Sequence, residues 1–250
     1  DGSVLHWWHP ISEIGLKNNI SDNRLWLTFV TVKYLKETND FEFLKEKVSF
    51  LDGGEGTIYE HCIKAINYNL ERLSSRGLPL IGDGDWNDGM NAVGTEGKGE
   101  SVWLGHFLYG ILQEFSYVCQ KVGDIKNKTR FLKEATTLKE NINKYTWDGE
   151  WYTRAYKDNG EPLGSKNCEE GKLYLNAQTW AIINDTANQE RKKIAYQSIK
   201  KYLFKDYCPL LFQPAYKTPD PKIGYLTRYA PGVRENGGLY THAGTWAVLA

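Results

Sequence analysis

The stretch IGDGDWNDGMNAVG, residues 81–94, sets Asp83, Asp85, Asn87 and Asp88 around one indole, Trp86, among four glycines. Three chemistries could use that composition. A calcium loop counted from Asp83 needs glycine at its sixth position and a bidentate glutamate at its twelfth. The chain has Asp88 and Gly94 there, so the register fails at both the turn and the anchor. A tight turn uses Asp, Asn and Gly freely. It gives no reason for a large indole between Asp85 and Asn87, since an exposed aromatic is costly unless it packs or binds. A third reading places a carboxylic acid beside an aromatic face that stacks on a sugar ring. The residues alone leave turn and sugar site open.

Two further constellations carry polar groups. YAPGVRENGGLYTHAGTW, 229–246, separates Arg234, Glu235, Asn236 and His242 by glycines just ahead of a helical run. Free N–H groups at a helix start, with Arg and His, make an anion site. The alternative is an exposed ion pair and a helix-end histidine bonded to backbone. In VLHWWHPISEIGLKNNISDN, 4–23, His6 and His9 are three apart with no third ligand at metal spacing, a weak metal signal. Trp7 and Trp8 are expected in the core.

Helices must position these loops. Helical spacing of Leu25, Phe29, Val32 and Leu35 predicts a helix over 24–38, capped by Ser21 or Asp22. Others are expected over 55–75, 100–123 (apolar around most of its circumference, hence buried), 127–145, 176–185 and 188–203, with a last one starting near Thr241. Only EWYTRAY, 150–156, alternates as a short strand, and it is expected to pair as a minor β-hairpin. The fold class is all-α, an array of helical hairpins. The loops 81–99, 157–175 and 213–240 are longer than ordinary connections, which marks them as functional.

Composition narrows the partners. Lys+Arg and Asp+Glu are equal at 31 each, which argues against nucleic acid or another polyanion. No apolar run approaches the ~18 residues of a membrane span, and no secretion leader is visible. Cys62, Cys119, Cys168 and Cys208 are widely spaced and read as free thiols of a cytosolic protein. Nine tryptophans and sixteen tyrosines fill much of the core and also suit carbohydrate. The chain opens on DGSVLHWWHP and closes inside the apolar run HAGTWAVLA, and we read it as part of a longer protein.

HWWHP with ISD and LWL, GLPLIGDGDWNDGMNAVGTEGKGESVWLGHFL, LNAQTWA and PGVRENGGLYTHAGTW together resemble the glycoside phosphorylases of glycoside hydrolase family 94. These include cellobiose, chitobiose and oligoglucan phosphorylases. The look is nearest the phosphorylase-like domain of cyclic β-1,2-glucan synthases. The resemblance runs from residue 4 to the end, in the family's order. It implies a partial (α/α)6 barrel over 1–250, with the N-terminal β-sandwich and the first and last barrel helices outside the chain. It implies inverting phosphorolysis of β-linked gluco-oligosaccharides to α-glucose 1-phosphate, and the reverse. Asp88 would be the acid. Trp86, Arg234, Glu235, Lys17, Asp22, Asn23 and Gln178 would contact substrate, and His242 and Asn19 phosphate. No cofactor or metal is implied, inorganic phosphate being the co-substrate. A homodimer is implied, in the cytoplasm or on the cytosolic face of a membrane if the chain belongs to a glucan synthase.

One segment departs from the family pattern. KNNISDN stands where R-T-R-[IF]-S-D-D is common, so Lys17 and Asn19 replace arginines and Asn23 an aspartate. Losing one charged contact costs on the order of 1.5–3 kcal/mol, roughly tens- to hundreds-fold in rate. Two other functions therefore stay open. One is a non-catalytic or weakly active glucan-binding, length-sensing domain. The other is an inverting hydrolase, with a second carboxylate such as Glu235 activating water. Asp88 must be protonated near neutral pH. Burial beside Trp86 and the charges of Asp83 and Asp85 are expected to hold it so.

Overall fold

The computed structural model describes residues 2–250. Its axis is the helix α3, and the other elements are most simply placed around it. The helices are α1 (Asn23–Thr38), α2 (Ile58–Leu70), α3 (Val102–Lys121), α4 (Ile125–Tyr145), α5 (Leu175–Ile183), α6 (Gln189–Ser198) and α7 (Thr241–Leu249). Trp103, Leu104, Phe107, Leu108, Leu112, Phe115 and Cys119 of α3 are fully buried, so the helix is covered on nearly every side, as its all-round apolar sequence requires. α4 returns antiparallel after a turn through Gly123 (φ +82°), and Asp124 caps it by accepting from Asn127 N at 2.9 Å. Its apolar stripe, Phe131, Ala135, Leu138 and Ile142, faces α3, while its lysines face water. α1 and α5 pack on α3, α2 on α1, and α7 on α5. α2 starts with a Thr57–Glu60 capping box.

Helix bounds match the expected ones within a few residues. α6 differs, running on as a wider turn over Ile199–Leu203. Asp22 occupies the cap position of α1 without capping it, its carboxylate accepting instead from Trp26 Nε1 at 2.7 Å. The strands differ more. β1 (Trp7–His9) pairs with β2 (Ile14–Leu16), and β3 (Lys47–Ser49) with β4 (Glu55–Thr57). β5 (Glu100–Ser101), β6 (Ala155–Tyr156) and β7 (Pro162–Leu163) form a three-stranded ladder, and β8 (Leu173–Tyr174) pairs with β9 (Phe212–Gln213). All pairs are antiparallel. Ladders of two or three residues show no readable alternation. Only the last two residues of 150–156 are strand. Trp7 and Trp8, expected inside, stand 51% and 55% exposed on β1. That hairpin buries neither face, so nothing draws its indoles inward.

The core has two parts. The larger surrounds α3. The smaller lies under the long loops and gathers Ile81, Met90, Val93, Trp151, Tyr174, Phe212 and Leu226. Trp86 packs against both. Cys62 and Cys119 are buried, Cys168 and Cys208 half-buried, and all four are free thiols.

Candidate active site

The acidic loop is held from below by a group the sequence did not point to. Asp85 is fully buried and takes both arms of the Arg154 guanidinium, Nη1 to Oδ2 at 2.7 Å and Nη2 to Oδ1 at 2.5 Å. Ser101 Oγ donates to the same Oδ2 at 2.6 Å. Oδ1 also accepts from Asn87 N at 3.0 Å, and Asn87 Oδ1 from Gly89 N at 3.1 Å. A buried carboxylate is tolerable only with such pairing. From this base, Asp88–Met90 forms a single 3-10 turn that lifts Asp88 half out of the interior. Gly89 seats the turn against Leu226; a Cβ there would lie 2.5 Å from the leucine's own Cβ. Gly84, at φ +130°, carries the sharp bend, and its carbonyl accepts from Ser21 N and Oγ, both at 2.9 Å.

Asp88 Oδ2 lies 3.2 Å from His6 Nε2. His6 Nδ1 lies 2.9 Å from Asn23 Oδ1, and Asn23 Nδ2 donates to Asn18 Oδ1 at 2.7 Å. The backbone of His6 is pinned where the β1/β2 hairpin closes, its N–H reaching Leu16 O at 2.7 Å. Burial holds the Asp88 carboxyl above the usual carboxylate range, the His6 contact opposes this, and Asp85 adds to it. Asp83, expected to contribute, is instead exposed at the loop's outer edge.

Trp86 is half-buried and donates from Nε1 to His242 Nδ1 at 3.2 Å. Its ring meets Tyr240 edge-on at 5.3 Å and leans on Trp246 at 5.1 Å. His242 is the second residue of α7, and burial pulls its basicity down. With Nδ1 accepting from the indole, the neutral ring carries its proton on Nε2 as a donor beside the backbone N–H groups of the helix start. The Glu235 carboxylate is nearly buried. It accepts from Tyr240 OH at 3.2 Å and pairs with Arg234 Nε at 3.3 Å. Arg234 sits at φ +50°, with its guanidinium 4.7 Å from the Tyr229 ring. Burial, then Asp88, pushes the Tyr225 hydroxyl up to about 12, and Tyr240 is raised by burial, then Glu235. Both phenols feel both carboxylates, so Tyr225 and Tyr240 lie near Asp88 and Glu235.

Asp88, Trp86, His242, Arg234, Glu235 and Asn23 are thus brought together. Asp22 lies behind them, almost fully buried, with Oδ1 unpartnered. Burial, then Asp85, pushes its carboxyl up to about 7. Lys17 and Asn19 stay at the surface, outside the hydrogen-bonded network around Asp88. Gln178 corrects the sequence reading. It is fully buried, Oε1 accepts from Tyr152 N, and Nε2 donates to the carbonyls of Tyr152 and Tyr174 (2.7–3.1 Å). Both amide protons are spent on backbone, so Gln178 ties α5 to the 150–156 segment. Asn236 does the same for Tyr216 and Tyr229. Arg154, His6 and Asn18 were missed as contributors to the site. An arginine in a buried alternating segment was the available signal for the first.

Residues 1–250 match the family described as "Glycosyl hydrolase 94 superfamily, catalytic domain". The chain is 41% identical over 251 residues to a solabiose phosphorylase of Paenibacillus borealis, covering 100% of this chain and 32% of that protein. It is 38% identical over 270 residues to the cyclic beta-(1,2)-glucan synthase NdvB of Rhizobium meliloti (strain 1021), covering 100% of this chain and 10% of that protein. Among solved structures, a GH78 family rhamnosidase of Bacillus sp. GL1 superposes with a TM-score of 0.57 at 17% identity, over 72% of this chain and 17% of that one, a likeness of fold alone. The chain therefore spans about a third or less of the length of these two sequence relatives. Among the described residues, no helix is long and apolar enough to cross a membrane.

Proposed function

Because the chain belongs to the glycosyl hydrolase 94 superfamily, matching its catalytic domain along its whole length, we propose that it carries the acid and anion sites of an inverting glycoside phosphorylase. Its substrates are β-linked gluco-oligosaccharides and inorganic phosphate, giving α-glucose 1-phosphate, with synthesis in reverse. The observation that carries this reading is one arrangement: a half-exposed carboxyl raised above its usual range, facing two tyrosines and linked through Trp86 to an imidazole at a helix start.

The reaction follows from that arrangement. Asp88 gives its proton to the glycosidic oxygen as the C1–O bond breaks. A phosphate oxygen forms the new bond to C1 from the opposite face, inverting the anomeric centre. Phosphate is already an anion, so the second carboxylate of an inverting hydrolase has no task here. His242 Nε2–H and the first N–H groups of α7 would hold the phosphate. Trp86 would stack under the transferred sugar. Arg234 and Glu235 would meet hydroxyls of that sugar, whereas Asp22, almost fully buried, and Asn23, whose amide is spent on His6 and Asn18, would act from behind the acid. Lys17 and Asn19 would join only at the mouth. The hydrolytic alternative would have to use Glu235 Oε2, which makes no hydrogen bond and lies 3.3 Å from Arg234 Nε, since Oε1 accepts from Tyr240. The helical hairpins and the fold likeness support placing the chain in a partial (α/α)6 toroid. The whole protein we read as a cytoplasmic homodimer.

The test uses the full-length protein with phosphate and a panel of β-linked gluco-oligosaccharides. Glucose 1-phosphate formation that Asp88→Asn abolishes is expected. Free glucose released without phosphate would select hydrolysis, and glucan binding with no turnover would select a binding domain.

A further inference from the structure

The acid does not stand alone, and the atoms behind it form a directed chain. Asn23 Nδ2 donates to Asn18 Oδ1 at 2.7 Å, so the carboxamide cannot flip without setting two oxygens against each other. Asn18 is held in turn, its Oδ1 also accepting from Ile20 N at 3.3 Å. Asn23 Oδ1 therefore faces His6 Nδ1, 2.9 Å away. A carbonyl oxygen only accepts, so Nδ1 carries the hydrogen. In the neutral ring, Nε2 is then bare, and it is this nitrogen that lies 3.2 Å from Asp88 Oδ2. A bare nitrogen is satisfied by a protonated carboxyl and repels an ionised one.

We propose that Asn23 fixes a hydrogen on His6 Nδ1, so that the neutral ring turns its lone pair to the carboxyl of Asp88, while an imidazolium in the same place would donate to Asp88 and favour its ionised form. The proposal rests on the reading of Asp88 as the acid, and it makes Asn23 and His6 positioning residues. An aspartate at position 23 would act differently. A carboxylate there would stabilise an imidazolium, whose Nε2–H would favour ionised Asp88. The surroundings leave that decision to Asn23. Asp85 is paired with Arg154, and what remains of its charge favours the proton on Asp88. Asp22 lies buried at the start of α1 with its carboxyl raised. Glu235 is paired with Arg234. Tyr225 and Tyr240 are phenols pushed up from their ordinary range. His242 is turned to Trp86. None of these places a free cation on the far side of the acid.

The experiment compares pH profiles of kcat/KM for phosphorolysis in the full-length protein, with Asn23→Asp nearly isosteric. Phosphate titrates identically in every variant, so differences report the protein. Asn23→Asp is expected to move the alkaline limb to lower pH, costing about tenfold in rate on that limb per unit of displacement. In a His6→Phe background the same change must not move it to lower pH, because no imidazolium can form. Histidine-selective nitrogen NMR of the unaltered protein should show His6 protonated at Nδ1. An unmoved limb in Asn23→Asp, an equal acidward shift with and without His6, or an Nε2–H tautomer would overturn the proposal. If Asp88→Asn keeps full turnover, it is the assignment of the acid that has failed instead.

Discussion

Removing the guanidinium beneath the acidic loop should be one of the costliest single changes in this chain. Arg154 is 1% exposed and Asp85 fully buried, joined by two hydrogen bonds at 2.5 and 2.7 Å. Arg154→Met keeps much of the stem's volume and leaves Asp85 with only Ser101 Oγ and Asn87 N as donors. Breaking a buried pair by deleting one partner costs about 3–5 kcal/mol. At roughly 2–4 °C per kcal/mol for a domain of this size, the melting midpoint falls by about 6–20 °C. Asp85→Asn in the same background removes the stranded charge and should recover more than half of the loss. Turnover should fall further than stability accounts for, because Asp88 stands three residues from Asp85 on the same short loop. Thermal and urea unfolding of the two single variants and the double variant measures the coupling. If the single costs add to the double within about 0.5 kcal/mol, the two groups do not act as a pair and the reasoning is wrong.

Asp22, raised from 3.8 to about 7, holds a proton that the unfolded chain releases. Its contribution to stability is full below about pH 4 and drains at about 1.4 kcal/mol per unit up to about pH 7. Asp22→Asn should match the unaltered protein near pH 4 and exceed it at pH 8 by urea unfolding; equal slopes would refute this. His106, fully buried and pushed by burial from 6.5 down to about 3, refuses a proton that the unfolded chain accepts. Stability is therefore lost at a similar rate as pH falls from 6.5 toward 3, and His106→Gln should lessen that acid slope, measured by acid titration of the folded signal. Gly89→Ala forces a methyl against Leu226, costing about 1–3 kcal/mol and displacing the turn under Asp88. Its kcat should drop more than its KM rises, and an unchanged kcat would show that the turn tolerates the shift.

The helices were legible because their signals are local. The stripe on α4 and the all-round apolar run of α3 reveal both period and burial within about twenty residues. Asp88, Trp86 and His242 were singled out through their motifs. The wiring between them was not, because its contacts span long stretches of chain: Arg154 to Asp85 across 69 residues, His6 to Asp88 across 82, Trp86 to His242 across 156. Pattern in one segment cannot report which distant side chain completes its hydrogen bonds. Gln178 misled for the same reason, since an amide in an apolar helix looks alike whether it meets a ligand or a neighbouring backbone. The short ladders escaped because two-residue pairing leaves no alternation, and Trp7 and Trp8 because a hairpin that buries neither face breaks the link between apolar residue and interior.

Trp86 is wedged into both apolar clusters while its N–H holds the histidine in the first turn of α7. An indole so placed has two duties that cannot be adjusted separately. Smaller aromatics at this position would loosen the seam between the halves of the interior and free the imidazole in one stroke. Variation in sugar preference among relatives of this chain should therefore be written in the neighbouring loops, with position 86 left as the fixed point around which they are redrawn.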